Sequence, residues 1–195
     1  MVSFSFTSIE IRDILVSVLA LSVIFAYPQF LAEPASFLVY LLVVAVAFMG
    51  HELSHKFTAI RLGYFSEYRM WPQGLLLALF MALATGGRIL FAAPGAVYFA
   101  SRWMFQSSPT RSDVGKIGAS GPLFNIIAGA ASVAALFSPG LGFLYFLALI
   151  NLWLAIFNMI PFGPLDGAKV FRWKPVVWAA MMASAVAIYV VLLQL

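Results

Sequence analysis

The stretch SFLVYLLVVAVAFMGHELSH, residues 36–55, decides the fold class of this chain. Uncharged, mostly apolar residues fill positions 36–50, and two histidines and a glutamate follow within the next five positions. A helix needs about 20 apolar residues to cross a hydrocarbon core ~30 Å thick, so this stretch predicts a membrane span. Such a helix carries the histidines ~22 Å inward from its outer start. They then lie within the hydrocarbon zone, where ionisable side chains are costly and by default functional.

The composition of the whole chain agrees with a membrane protein. Of its 195 residues, 64% are hydrophobic and 9% are charged, and the mean hydropathy is +1.02. Soluble domains carry about 25% charged residues, so a water-soluble globule is excluded. The chain has no cysteine, which excludes disulfides and thiolate metal sites. We predict one integral membrane domain over residues 1–195.

Charge-free stretches locate the membrane spans. They predict five helices, at about 13–31, 36–60, 118–137, 142–162 and 175–195. The long apolar stretch 117–165 is divided by a turn at Ser138-Pro139-Gly140. The predicted fold class is therefore an all-α polytopic membrane protein with five to six membrane segments.

The segment at about 64–101 differs from these spans. Its apolar runs Leu75–Thr85 and Ile89–Ala100 are too short for helical crossings, and Gly86-Gly87-Arg88 separates them. We predict a short strand-bearing or re-entrant hairpin that starts and ends on one side of the membrane. A pair of tilted spans is the alternative. Because strand backbone at membrane depth needs polar partners, we hypothesise that the hairpin offers a strand edge to an extended peptide.

Basic residues predict the orientation of the chain. The loops near 28–36 and 138–141 contain none, whereas the opposite side carries Arg12, Lys56, Arg61, Arg69, Arg102, Arg111, Lys116, Lys169, Arg172 and Lys174. Under the positive-inside rule that side is cytoplasmic. The N-terminus and the opening of the site are then cytoplasmic, and the small size favours a prokaryotic plasma membrane.

The motif His51-Glu52-Leu53-Ser54-His55 predicts a metal site. Histidines four apart project from one face of a helix, one turn from each other, and can grip one Zn²⁺ ion. Glu52 beside them can take a proton from a water molecule that the metal activates. The alternative is a helix terminus at which both imidazoles bond to carbonyl groups.

A catalytic zinc site needs a third protein ligand. With no other histidine or cysteine, the candidates are Glu67, Asp113 and Asp166. Glu67 and Asp113 lie among basic residues and are interpreted as partners of arginines. Asp166 follows a proline- and glycine-rich break that can aim a carboxylate into the bundle. Its alternative role is to cap a helix that begins at Gly167.

Three motifs, in this order, resemble those of the site-2 protease family of intramembrane zinc metalloproteases. They are His51-Glu52-x-x-His55 with Ala59 and Gly63, Gly121-Pro122-Leu123-Phe124-Asn125, and Asn158-x-x-Pro161-x-x-Pro164-Leu165-Asp166-Gly167. The resemblance implies a three-helix catalytic core at about 36–170, in a minimal member without PDZ or CBS domains. It also implies one zinc ion per chain.

The resemblance assigns roles to individual residues. It implies that His51, His55 and Asp166 bind the zinc ion and that Glu52 is the catalytic base. It implies that Asn125 and Asn158 help to bind the substrate or the oxyanion. The implied reaction is cleavage of transmembrane helices near the cytosolic side, in regulated intramembrane proteolysis.

The expected partners are transmembrane-helix protein substrates and the lipid bilayer, with no nucleic acid, and the sequence carries no signal for an oligomeric state. The alternative function is a membrane metal transporter or metal-binding protein that uses the same ligands. A conduction path usually places polar groups along its length, whereas the acids of this site lie at one level.

Overall fold

A computed structural model describes residues 4–91, 94–101, 108–136 and 142–195. The helices and strands, in chain order, are α1 (Ser8–Ala26), α2 (Gln29–Ala32), α3 (Ser36–Arg61), β1 (Tyr64–Met70), α4 (Pro72–Thr85), β2 (Gly95–Ser101), α5 (Arg111–Ala135), α6 (Phe143–Asn158), α7 (Asp166–Trp173) and α8 (Pro175–Leu192). The predicted turn at Ser138-Pro139-Gly140 and the predicted cytoplasmic Arg102 lie outside the described residues.

Three helices are long and apolar enough to cross a membrane, namely α3, α5 and α8. The apolar helices α4 and α6 are shorter, with 14 and 16 residues. The 19-residue helix α1 carries charged residues in its first two turns, including Glu10 and Asp13. The fold is therefore mostly helical, with helices compatible with membrane insertion.

Two helices begin earlier than predicted, because charge-free stretches exclude the polar first turn of a helix. Helix α5 starts at Arg111 rather than near residue 118. Thr110 and Asp113 form a capping box there, in which each side chain bonds to the backbone N–H of the other residue. Helix α1 starts at Ser8 rather than near residue 13, because the Thr7 hydroxyl accepts a hydrogen bond from the N–H of Glu10.

Helix α5 is the centre of the bundle and packs against α3, α6, α7 and α8. Close approach to α6 depends on a glycine, because a Cβ atom at Gly129 would lie 2.6 Å from Cγ of Leu152. On the other side, α3 packs against α1 and α6. Apolar side chains of α1, α3 and α6 form the largest hydrophobic cluster, including Leu21, Val44 and Ile150. This packing fixes the height of α3, α5 and α6 relative to one another.

The predicted strand-bearing hairpin is confirmed. Strands β1 and β2 pair antiparallel with Tyr64 opposite Ser101 and Met70 opposite Gly95. The structure adds a helix that was not predicted, because α4 occupies the first apolar run between the strands. Pro72 starts α4, and Gly86 ends it in the left-handed conformation at φ 63°.

The outer edge of β1 is covered by side chains. The backbone N–H of Tyr68 donates to Oε1 of Glu10 at 3.0 Å, and that of Met70 donates to Oδ2 of Asp13 at 3.3 Å. Lys56 completes the cover because its Nζ atom donates to the carbonyl of Ser66 and to both carboxylate oxygens of Glu10. Polar groups of α1 and α3 thus replace the strand that would otherwise pair here.

These contacts also determine which backbone groups of β2 are available. Residues opposite each other in an antiparallel pair alternate between hydrogen-bonded pairs and pairs whose N–H and C=O groups point outward. Because the N–H of Tyr68 points outward to Glu10, the opposite residue Val97 also points its N–H and C=O groups outward. The same holds for Gly95, opposite Met70. Among the residues that the structure describes, no third strand joins this outer edge of β2.

Candidate metal centre

The two histidines lie side by side on α3, one helical turn apart. Their Nε2 atoms are 3.0 Å apart, and both side chains are buried. Helix α3 continues for six residues beyond His55, to Arg61, so the motif lies inside the helix and not at its terminus. The i, i+4 spacing therefore produces the convergent pair that the sequence predicts.

The third predicted ligand reaches the histidines through a break between α6 and α7. Helix α6 ends at Asn158, and the chain turns back so that Gly167 packs on the backbone of Met159, where a Cβ atom would lie 2.2 Å from the carbonyl oxygen. Gly163 adopts φ 60° within this break. Helix α6 rises ~24 Å before the break, close to the ~22 Å by which α3 lifts His51. The seven residues of the break therefore bring Asp166 to the level of the histidines.

Both carboxylate oxygens of Asp166 contact side chains. Its Oδ2 atom lies 3.2 Å from Nε2 of His51 and 2.9 Å from Nε2 of His55, and Oδ1 accepts a hydrogen bond from Lys169 at 2.8 Å. The ammonium group of Lys169, 2.8 Å from Oδ1, favours the ionised form of the carboxyl group. The carboxyl group is therefore ionised and faces the imidazoles instead of capping α7.

The hydrogen-bond partners of the two Nδ1 atoms show which ring nitrogen of each histidine carries the proton. Nδ1 of His55 lies 2.6 Å from the carbonyl oxygen of Ile117, and Nδ1 of His51 lies 2.6 Å from Oδ1 of Asn125. Both partners are acceptors, so each Nδ1 carries the proton and each Nε2 presents a lone pair.

The lone pairs on the two Nε2 atoms and on Oδ2 of Asp166 therefore converge within 3.2 Å of one another. Three buried acceptors at such distances repel each other unless a cation lies between them. Ligands at about 2.0–2.1 Å from a tetrahedral zinc ion are about 3.3 Å apart, which matches this triangle. His51, His55 and Asp166 thus fit the donor set of a metal ion.

A cleft of about 260 Å³ opens on this triangle. Its walls come from β2 on one side and from the break between α6 and α7 on the other, and include Pro94, Gly95, Ala96, Val97, Tyr98, Asn158, Pro164, Leu165 and Lys169. Glu52 also lines the cleft, and its buried Oε2 atom makes no hydrogen bond within the described part of the chain. A carboxylate oxygen without a partner beside a metal site is arranged to receive a proton.

The other sequence candidates are used elsewhere. Glu67 pairs with Arg69 at 2.7 Å, as predicted. Asp113 instead bonds to Thr110 and to the Tyr64 hydroxyl at 2.8 Å, because it caps α5. Asn158 lines the cleft, where one amide proton is donated to the carbonyl of Leu154.

Comparison with known proteins identifies the family. The chain is 39% identical over 182 residues to a protein of Methanocaldococcus jannaschii named "putative zinc metalloprotease", with 90% of each chain covered. The family model described as peptidase family M50 matches residues 140–181, which include Asp166. The chain belongs to peptidase family M50. No solved structure gives a significant match.

Several residues of this M50 family member were not anticipated as parts of the site. Lys169 contacts Asp166, Asn151 lies behind Asn125, and Glu10 and Lys56 hold the sheet beside the cleft. One feature of the sequence could have indicated these residues. A polar residue in an apolar helix needs a buried partner, so its presence predicts a polar contact. Asn151, for example, stands alone among apolar residues between Leu147 and Ala155.

Gly121 places α5 directly over the metal centre of this M50 family member. A Cβ atom there would lie 2.4 Å from Nε2 of His55 and 2.7 Å from Nε2 of His51. We predict that Gly121→Ala lowers zinc affinity at least about 100-fold, because the methyl group displaces both imidazoles. Competition with a chelator measures this effect. Ser132→Ala on the same helix is the control, because the Ser132 hydroxyl bonds within α5, to Ala128. A similar loss of affinity in both variants would contradict a local effect.

Proposed function

We propose that this chain is an intramembrane zinc metalloprotease that hydrolyses transmembrane helices of membrane-protein substrates. The convergence of three buried lone pairs beside the unpartnered carboxylate oxygen of Glu52 is the observation that carries the proposal. Membership of peptidase family M50 supports peptide hydrolysis, and the name of the relative supports zinc.

The membrane arrangement that we propose has five crossing helices. Helices α1 and α6 cross together with α3, α5 and α8, and the segment that contains β1, α4 and β2 enters and leaves on the cytoplasmic side. The distribution of lysine and arginine supports this orientation. The cleft then opens toward the cytosol, from which water reaches the site.

Each residue of the centre has a proposed role. His51, His55 and Asp166 would hold a zinc ion, which when bound polarises a carbonyl group and lowers the pKa of water. Glu52 takes a proton from the attacking water and passes it to the leaving amine. Lys169 holds Oδ1 of Asp166, so that a single carboxylate oxygen faces the imidazoles. Asn158 donates its second amide proton to the substrate or the oxyanion.

The substrate binds, in this proposal, as an extended strand along the outer edge of β2. A helical substrate hides its carbonyl groups in its own hydrogen bonds and must unwind before attack. The unwound segment then needs backbone partners, because water cannot satisfy them within lipid. Val97 and Gly95 offer outward-facing backbone groups that line the same cleft as Glu52. Side-chain cover of β1 leaves β2 as the edge for strand addition.

Metal removal tests the proposed function. We expect the chain, reconstituted in phospholipid vesicles with single-span substrates, to lose cleavage after treatment with 1,10-phenanthroline. Addition of one equivalent of zinc should restore cleavage, because the ligands are contributed by one chain. Cleavage that persists in protein shown to be free of metal would contradict the proposal. If the chain binds zinc but cleaves none of the single-span substrates, the result would favour a metal transporter or metal-binding protein instead.

A further inference from the structure

A chain of buried amides connects His51 on α3 to α6 across the central helix. Asn125 Oδ1 lies 2.6 Å from Nδ1 of His51, and Asn125 Nδ2 donates to Oδ1 of Asn151 at 2.8 Å. Neither asparagine is exposed, at 0% each. Neither residue lines the cleft, and the metal ligand that they reach is His51, through Asn125.

Backbone carbonyls fix the direction of this chain of hydrogen bonds. Asn125 Nδ2 donates to the carbonyl of Ala47 at 3.0 Å, and Asn151 Nδ2 donates to the carbonyl of Leu147 at 2.8 Å. A carbonyl oxygen only accepts, so each amide nitrogen is assigned without ambiguity. The oxygen of Asn125 must therefore face His51, and the proton of His51 must be on Nδ1.

The two asparagines differ in what they contribute. Asn125 supplies the acceptor for His51 directly. Asn151 accepts the second amide proton of Asn125, which would otherwise be buried without a partner at a cost in free energy. Rotation of the Asn125 amide group to find another acceptor would withdraw its oxygen from His51.

We propose that Asn125 and Asn151 are positioning residues that fix the tautomer and ring orientation of His51 and thereby raise the affinity of the centre for zinc. This inference rests on the proposed function, since it takes zinc to be the bound metal. Groups that orient a metal-bound histidine typically contribute 10–100-fold in metal affinity. Asn151 acts at the greater distance and extends the metal centre to α6.

Zinc affinity of the purified chain, measured by chelator competition, tests the proposal. We expect Asn125→Leu to lower affinity about 10–100-fold and Asn151→Leu to lower it about 3–10-fold. Asn125→Asp keeps an oxygen toward His51, so its affinity should exceed that of Asn125→Leu. Ser132→Ala is the control, because the buried Ser132 hydroxyl bonds only within α5, to Ala128. It should bind zinc as the wild type does.

A spectroscopic measurement separates positioning from a general loss of structure. The chain has two histidines, so ¹⁵N-histidine labelling gives two resolvable ring systems. In the zinc-loaded wild type, both rings should carry the proton on Nδ1. Asn151→Leu should perturb His51 and leave His55 unchanged, because His55 bonds to Ile117. Wild-type affinity and an unchanged His51 signal in both leucine variants would overturn the inference, whereas failure of the wild type to bind zinc would overturn the proposed function.

Discussion

Glu52→Gln should abolish cleavage while the protein still binds zinc. Glutamine has nearly the same size and shape as glutamate, so the packing of the cleft is preserved, but its amide cannot take a proton from water. General acid–base groups contribute about 10²–10⁴-fold to rate. We therefore expect the rate constant of cleavage to fall by about that factor. The measurement is single-turnover cleavage of a single-span substrate in phospholipid vesicles.

Zinc content is the internal control for this variant. Glu52 contributes none of the three ligand atoms that converge at the centre. Glu52→Gln should therefore retain about one zinc ion per chain. Asp166→Asn is the comparison, because it removes a charged ligand and should lose both zinc and cleavage. A Glu52→Gln protein that cleaves at the wild-type rate would exclude Glu52 as the base.

Val97→Pro should weaken substrate binding without removing a hydrogen bond between β1 and β2. The N–H group of Val97 points away from β1, so proline removes a donor that only an added strand would use. Within lipid, an unsatisfied backbone group of the substrate costs several kcal/mol. A loss of about 3 kcal/mol corresponds to a roughly 100-fold lower kcat/KM. The effect should appear mainly in KM, and cleavage kinetics at several substrate concentrations will measure it.

Three further variants test the prediction that the substrate pairs with β2. Val97→Ala keeps the N–H group and should remain active. Tyr98→Pro removes an N–H group that faces β1 and should lower the unfolding temperature further than Val97→Pro, which removes no hydrogen bond of the sheet. Phe99→Pro repeats the test two residues along the same edge. Wild-type cleavage by both outward-facing proline variants would mean that substrates do not add to β2.

The convergence of the two histidines was predictable from a local signal, because histidines four apart on a helix must share a face. The sequence leaves few acids that could approach the histidines, and Asp166 is one of them. The path by which the chain brings Asp166 to the histidines is not visible in the sequence. An unbroken helix would carry it too far, and only the structure shows Gly167 folded back onto Met159.

The contacts around the centre were not predictable for a different reason. The Lys56–Glu10 pair joins residues 46 positions apart, and the Asn125–Asn151 pair joins residues 26 apart. Hydropathy and spacing within one segment cannot select such partners. Helix α4 was missed because a run of about eleven apolar residues fits a helix or a strand equally well. Charge-free stretches do not include the capped starts of α1 and α5, because the first turns of both helices carry charged residues.

The ion pair between Glu10 and Lys56 also constrains how the polypeptide is assembled as it is made. The ribosome delivers α1 first, yet within the described part of the chain the carboxylate of Glu10 finds its partners only in residues 56–68. Asp13, by contrast, already has its neighbour Arg12. Until the later segment has emerged, the Glu10 carboxylate must stay in contact with water, because burial of a charge without a partner is too costly. Helix α1 therefore completes its polar contacts only after α3 and β1 have been synthesised.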